Sequence, residues 1–300
     1  MADFQKQTVQ WFPGHMARTR RQIKESLPLV DAVTELLDAR CPISSRNPEL
    51  NDIIGNKPHI VLLNKCDMAD AAKTSAFQQY FNARGEYAVA VDCRSGKGLR
   101  AYPELVREVL KDRIAANRER GMAGRALRIM VVGIPNTGKS SFINRMAGRS
   151  RAKVADKPGV TRQNQWFAIG SGIELLDTPG VLWPKFEDER VGNTLAFIGS
   201  VKDEVLDSET LAFRLIEFLQ HAYPGVLEQR YKLERTQTME TLELFDRIGQ
   251  KRGMLLRGGE IDYERVSNML LDEFRSGLLG RITVDSIPEE RASDAGLAKI

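Results

Sequence analysis

Cysteine is scarce in this chain: Cys41, Cys66 and Cys93 are the whole complement among 300 residues. They fall at no metal-ligand spacing, and an odd, small count excludes a disulfide-built scaffold. Histidine is equally rare, at three residues. No apolar run approaches about 18 residues, so no membrane-spanning helix is expected. The first ten residues, MADFQKQTVQ, hold neither an apolar core segment nor an arginine-rich amphipathic helix, so no targeting peptide is expected. Charge is not one-sided: 44 Lys and Arg stand against 40 Asp and Glu, a net +4. That excludes a chain basic all over and leaves room for local basic patches. A reducing cytoplasm is the simplest home for such a composition.

What is present is a phosphate-binding signature. The apolar run Ile129-Met130-Val131-Val132 has the continuity of a strand buried on both faces. It leads into Gly133-Ile134-Pro135-Asn136-Thr137-Gly138-Lys139-Ser140, which fits G-x-x-x-x-G-K-[ST] at every fixed position. Gly133 and Gly138 let successive N–H groups turn toward one anion, and a helix starting near Lys139 adds its positive end. Asn136, Thr137, Gly138, Lys139, Ser140 and Ser141 would line the phosphates. Lys139 would reach the β and γ groups, and the Ser140 hydroxyl would ligate Mg2+.

Around this stretch, strand and helix signals alternate. Strands are expected at Ala32 to Leu37, His59 to Leu63 and Tyr87 to Val91; helices at Pro48 to Ile54, Asp70 to Ala83 and, as one long element, Leu99 to Asn117. Such a rhythm predicts a mostly parallel sheet with helices on both faces, and ligands bound where the strands' carboxyl ends emerge. Arg149 to Arg162 reads as a basic loop before a hairpin turning at Gly170-Ser171-Gly172. From about residue 189 only helical spacing remains. The expected division is a nucleotide-binding α/β domain over 1–188 and an all-helical domain over 189–300. A basic helix near the N-terminus (Arg18, Arg20, Arg21, Lys24) and Arg230, Lys232, Arg247, Lys251, Arg252 and Arg275 are the candidate contacts for a polyanion.

Asn64-Lys65-Cys66-Asp67 follows a strand and selects guanine. The Asp67 carboxylate can accept from guanine N1–H and its exocyclic amine, whereas adenine presents an acceptor there. Asn64 would brace the loop, the Lys65 stem would lie along the base, and the Cys93 backbone N–H in Asp92-Cys93-Arg94 would back it. Asp177-Thr178-Pro179-Gly180 ends another strand, as a Mg2+-associated carboxylate and a γ-phosphate-sensing glycine require. Thr161, in the loop between these motifs, would close over Mg2+ and the γ-phosphate.

This set resembles the TRAFAC-class GTPases with its order rotated: the guanine motif precedes the phosphate loop instead of following it. The chain is therefore similar to circularly permuted P-loop GTPases, and Trp11 to Met16 (WFPGHM) makes it resemble the ribosome biogenesis GTPase A family among them. Asp92-Cys93-Arg94 departs from the family's commoner Ser-Ala-Lys. The resemblance implies GTP and GDP binding with Mg2+, and potassium dependence with Asn136 as a K+ ligand. It also implies a cytoplasmic factor that binds the late large (50S) ribosomal subunit precursor and its rRNA, and hydrolyses GTP as maturation completes. Neither membrane nor DNA is an expected partner.

Ras-type enzymes orient the attacking water with a Gln after the D-x-x-G. Here that position is Val181, so unassisted hydrolysis should be slow. His15 is the candidate replacement, with a structural histidine as the alternative. A nucleotide-gated scaffold with negligible hydrolysis, and a tRNA-modification GTPase, are the competing readings.

Overall fold

The computed structural model describes residues 14–148, 165–183, 186, 188–201 and 207–288, the side chains of residues 14–18 excepted. The first helix, α1 (Gly14–Ser26), precedes strand β1 (Ala32–Asp38), which is buried along its whole length. There follow α2 (Glu49–Ile54), β2 (His59–Asn64), α3 (Ala71–Ala83) and β3 (Tyr87–Ala90). Asp70 caps α3, its carboxylate accepting from Lys73 N–H at 2.9 Å, as its place before the apolar period predicts.

The single helix expected over Leu99 to Asn117 is instead three pieces. A 3₁₀ turn (Leu99–Ala101) leads into α4 (Tyr102–Val109), and α5 (Lys111–Glu119) follows after Leu110, whose φ of −106° and ψ of 17° leave the helical region. The apolar stripe Leu99, Tyr102, Val106, Leu110 ends there, and beyond it only Ile114 packs against the core. The chain bends where burial stops holding it to the sheet.

Strand β4 (Leu127–Val132), helix α6 (Lys139–Met146) and the hairpin of β5 (Gln165–Ala168) and β6 (Ile173–Asp177) complete one sheet. Its order is β3-β2-β1-β4-β6-β5, parallel throughout except for β5 against β6. Side chains alternate across it. Leu36, Ile60, Ile129 and Val131 pack on Tyr102, Val106 and Phe142 of α4 and α6. Val33, Met130, Val132 and Leu176 face Ile23 and Leu50 of α1 and α2, and Leu37, Val61 and Leu63 face Phe77 and Phe81 of α3.

After Asp177 every described element is helical: α7 (Glu189–Phe197), α8 (Ser208–Ala222), α9 (Val226–Tyr231), α10 (Thr241–Lys251) and α11 (Tyr263–Ser276). Their core does not stop at the sheet. Leu182, Trp183 and Phe186 enter it from the segment after Asp177, and Ile134 and Cys41 enter it from the phosphate loop and the loop after β1. The chain past α11 returns to the sheet: Ile282 and Val284 donate backbone bonds to Met68 and Arg40 carbonyls, and the Asp285 carboxylate accepts from Ser44 Oγ at 2.6 Å.

A buried guanidinium seals this junction. Arg40, 1% exposed, donates to both oxygens of Asp38 at 2.9 and 2.8 Å and to the carbonyls of Phe274 and Arg275 at the end of α11. Arg40→Ala would leave the buried Asp38 carboxylate with Lys65 as its remaining counter-charge and take the donor from two interior carbonyls. It should lower unfolding free energy by about 3–5 kcal/mol, measured by urea denaturation against wild type; a loss within the surface-mutation range of about 0.5 kcal/mol would remove the seal from the account.

Candidate functional site

Because β1, β2, β4 and β6 run parallel, the segments after them meet at one edge. Gly133, at the end of β4, has φ 147°, and a Cβ there would stand 2.6 Å from the Leu36 carbonyl oxygen. Gly138 has φ 99°, and its Cβ would run into Asn64 Nδ2. Both glycines are thus required by backbone hand and by close approach. Asn136 takes the left-handed region as well, at φ 62°, as Asn tolerates better than most residues. Helix α6 starts at once after Gly138 with no side-chain cap, so its first N–H groups face the loop.

Lys139 is buried at the base of this loop, its Nζ donating to the Ile134 carbonyl at 2.7 Å. Burial pushes its pKa down to about 8, partly countered by Asp177. Asp177, level with Val131 across the sheet, has its pKa raised by burial to about 6, with Lys139 working against the rise. Its Oδ1 is buried without a hydrogen-bond partner among the described residues. A buried carboxylate oxygen beside the Ser140 end of α6 is a donor set that fits Mg2+. Among the described residues no cluster of three or more His, Cys, Asp or Glu could hold a metal. Gly180 lies against the same loop: a Cβ would meet Pro135 N at 2.8 Å and Lys139 Nζ at 3.1 Å.

The base side is built by Asn64. Its Nδ2 donates to the Thr137 carbonyl at 2.7 Å and its Oδ1 accepts from Cys93 N–H at 3.0 Å, so one amide braces two loops. The Cys93 N–H expected to back the base is thereby committed to Asn64. The head of Lys65 is engaged within the protein as well. Its Nζ donates to the Asn136 carbonyl at 2.8 Å and pairs with Asp38 at 2.9 Å, tying the base loop to the phosphate loop. Burial opposes charge on Asp38, but Arg40 and Lys65 hold its carboxyl well below the usual range. Asp67 keeps a buried Oδ1 with no partner among the described residues. A guanine N–H is the group such an acceptor fits.

Asp38 and Arg40 were not among the expected site residues; their signal is an Asp closing a parallel strand with Arg two positions on. Nor was the grip of the helical region on the phosphate loop. Asn136 Nδ2 donates to the Gly199 carbonyl at 2.6 Å, and Ser200 Oγ donates to the Pro135 carbonyl at 2.7 Å. Ser140 and Ser141 open α6. Thr161 and the His15 side chain lie outside the described residues, although the backbone of His15 is in the first turn of α1.

Residues 128–244 match the family model described as 50S ribosome-binding GTPase. The match begins at the phosphate-loop strand, leaving Asn64 to Asp67 upstream, as the rotated order requires. The chain is 48% identical over 283 residues to ribosome biogenesis GTPase A of Priestia megaterium, covering 94% of this chain and 98% of that one. It is 33% identical over 305 residues to mitochondrial ribosome-associated GTPase 1 of Bos taurus, covering 93% and 89%. The crystal structure of GNP-bound YlqF from T. maritima superposes with a TM-score of 0.63 at 27% identity, over 89% of this chain and 97% of that one.

Proposed function

Since the chain belongs to the ribosome biogenesis GTPase A family, and is with it a GTP-hydrolysing enzyme, we propose that it acts on the late large ribosomal subunit precursor and couples hydrolysis to maturation and release. Kinship supports the partner. The observation that carries the coupling is the contact of Gly199 and Ser200 with Asn136 and Pro135. A phosphate loop bonded to the helical region ties nucleotide state to the surface that region presents, the kind of two-state element a switch needs.

In this reading Asp67 accepts from guanine, Lys139 holds the β and γ phosphates, and Ser140 with Asp177 holds Mg2+. When bound, that ion would offset charge developing on the transferred phosphate. Thr161 would close over the γ-phosphate. Val181 cannot orient water: its side chain is buried with Ile23, Leu50 and Leu176, and its carbonyl accepts from Asn47. His15 is our candidate for that task, and Asn136, its amide set by Gly199, is our candidate potassium ligand. No described helix is long and apolar enough to cross a membrane, and we place the chain in the cytoplasm.

The test is GTP turnover with and without large-subunit particles, in potassium and in sodium. Turnover alone should be near that of unassisted Ras, roughly 10⁻⁴ to 10⁻³ per second. Particles should raise it severalfold or more and should co-sediment with the protein in a GTP analogue. Particles that neither bind nor accelerate would overturn the proposal.

A further inference from the structure

The positive charge of this chain is not where the helical region would use it. Residues 1–188 hold 29 Lys and Arg against 20 Asp and Glu, whereas residues 189–300 hold 15 against 20. Four of the arginines expected to meet RNA are engaged within the helical region. Arg230 and Arg252 pair with Glu273, Arg247 pairs with Glu243, and Arg275 donates to the Ala196 and Phe197 carbonyls.

Another set of arginines is unengaged. Every residue from Arg118 to Arg125, the end of α5 and the turn joining it to β4, is exposed. Arg118, Arg120 and Arg125 have no side-chain partner among the described residues, and Glu119 is the single acid between Arg113 and Arg128. The turn is nevertheless built. Gly121 and Met122 N–H donate to the Arg118 and Asn117 carbonyls at 3.0 and 2.9 Å, and Arg125 N–H donates to Met122. Gly121 and Gly124 sit at φ 73° and 88° with open space around them. Arg113, half exposed and paired with Asp31, flanks the turn.

We propose that this turn docks on the phosphate backbone of RNA, an inference that rests on the ribosomal reading above and assigns it a surface. Three guanidinium forks on a preorganised turn suit phosphate oxygens, each of which accepts paired donors. A protein partner would need an apolar anchor, and Met122, 37% exposed, is the only large apolar side chain the turn offers. The turn lies at the amino-terminal edge of the sheet, one strand length, or about 20 Å, from the edge where Gly133, Asn64 and Asp177 meet. Contact there is an anchor that does not read the nucleotide.

The experiment compares wild type with the triple variant Arg118→Ser, Arg120→Ser, Arg125→Ser, and with the same three positions changed to Lys. Affinity for large-subunit particles and for protein-free large-subunit rRNA is measured across salt. Each phosphate contact contributes about 0.7 to 0.9 to the slope of log K on log salt, so the Ser variant should be shallower by about 2 to 3. Its affinity should drop on the order of tenfold or more at 100 mM salt, equally with GTP analogue and GDP. The Lys variant should retain most of the slope, and GTP affinity and unstimulated turnover should be unchanged in both. An unchanged slope in the Ser variant overturns the surface while sparing the ribosomal reading. Loss toward particles with none toward protein-free rRNA overturns RNA as its partner. A wild-type chain binding neither overturns both.

Discussion

Asp67→Asn should exchange GTP for xanthosine triphosphate. The wild-type carboxylate has a buried oxygen without a partner among the described residues. Its loop is pinned by Cys66 N–H to the Val91 carbonyl, by Met68 N–H to Lys65, and by the two bonds of Asn64. Guanine brings two N–H donors to that position. An amide there turns one acceptor into a donor and sets donor against donor, while xanthine O2 offers an acceptor to the new N–H. Sites built on hydrogen bonds of this sort reject the mismatched ligand by roughly 10⁴-fold, so GTP affinity should fall and xanthosine triphosphate affinity rise by changes of that order. Titration of both nucleotides, with ATP as a third, against wild type and variant measures it. GTP affinity unchanged in the variant, or ATP bound by wild type as tightly as GTP, would remove Asp67 from the base pocket.

The meeting of these motifs at one edge of the sheet is legible in the sequence for local, chemical reasons. A glycine-spaced loop after an apolar run, and Asp-bearing tetrapeptides after two others, each carry their meaning within eight residues. Parallel strands then bring them to one edge without further information. The sheet, the hairpin at Gly170 to Gly172 and the helical character of the described elements after Asp177 follow from periodicity for the same reason.

What sequence could not disclose are contacts made through backbone carbonyls across long separations. Arg40 meets Phe274 O, 234 positions away, and Asn136 meets Gly199 O, 63 positions away. A carbonyl has no residue type, so no composition or spacing marks it. The same applies to Cys93, whose N–H could serve base or protein equally until Asn64 was found to accept it. Arginines of the helical region illustrate a second limit. A basic residue reads as a free cation until the carboxylate facing it is placed, and Glu273 takes both Arg230 and Arg252. The bend at Leu110 is a third, because one apolar stripe serves a straight helix and a broken one alike.

Lys139→Ala should abolish tight triphosphate binding and leave the fold intact, and the structure separates those two effects. Lys139 is 7% exposed, and its hydrogen bond among the described residues is to the Ile134 carbonyl. Burial works against its charge, which is why its pKa falls to about 8, so the folded chain gains little from holding an ammonium there. Removing it leaves one carbonyl less well satisfied and Asp177 without its counter-charge. Asp177, already raised to about 6 by burial, can answer by taking up a proton. Melting temperature should therefore stay close to that of wild type. Nucleotide has no such escape: its β and γ phosphates would meet the loop's N–H groups without the cation between them. Truncating one member of a desolvated charge pair costs about 2–5 kcal/mol, which at about 1.4 kcal/mol per decade is roughly 30-fold to several thousand-fold in affinity. Lys139→Met, which keeps the apolar stem and drops the charge, should match Ala in affinity, because the cation and not the packing holds the phosphates. GTP bound as tightly by a folded Lys139→Ala or Lys139→Met protein as by wild type would refute the assignment of this loop.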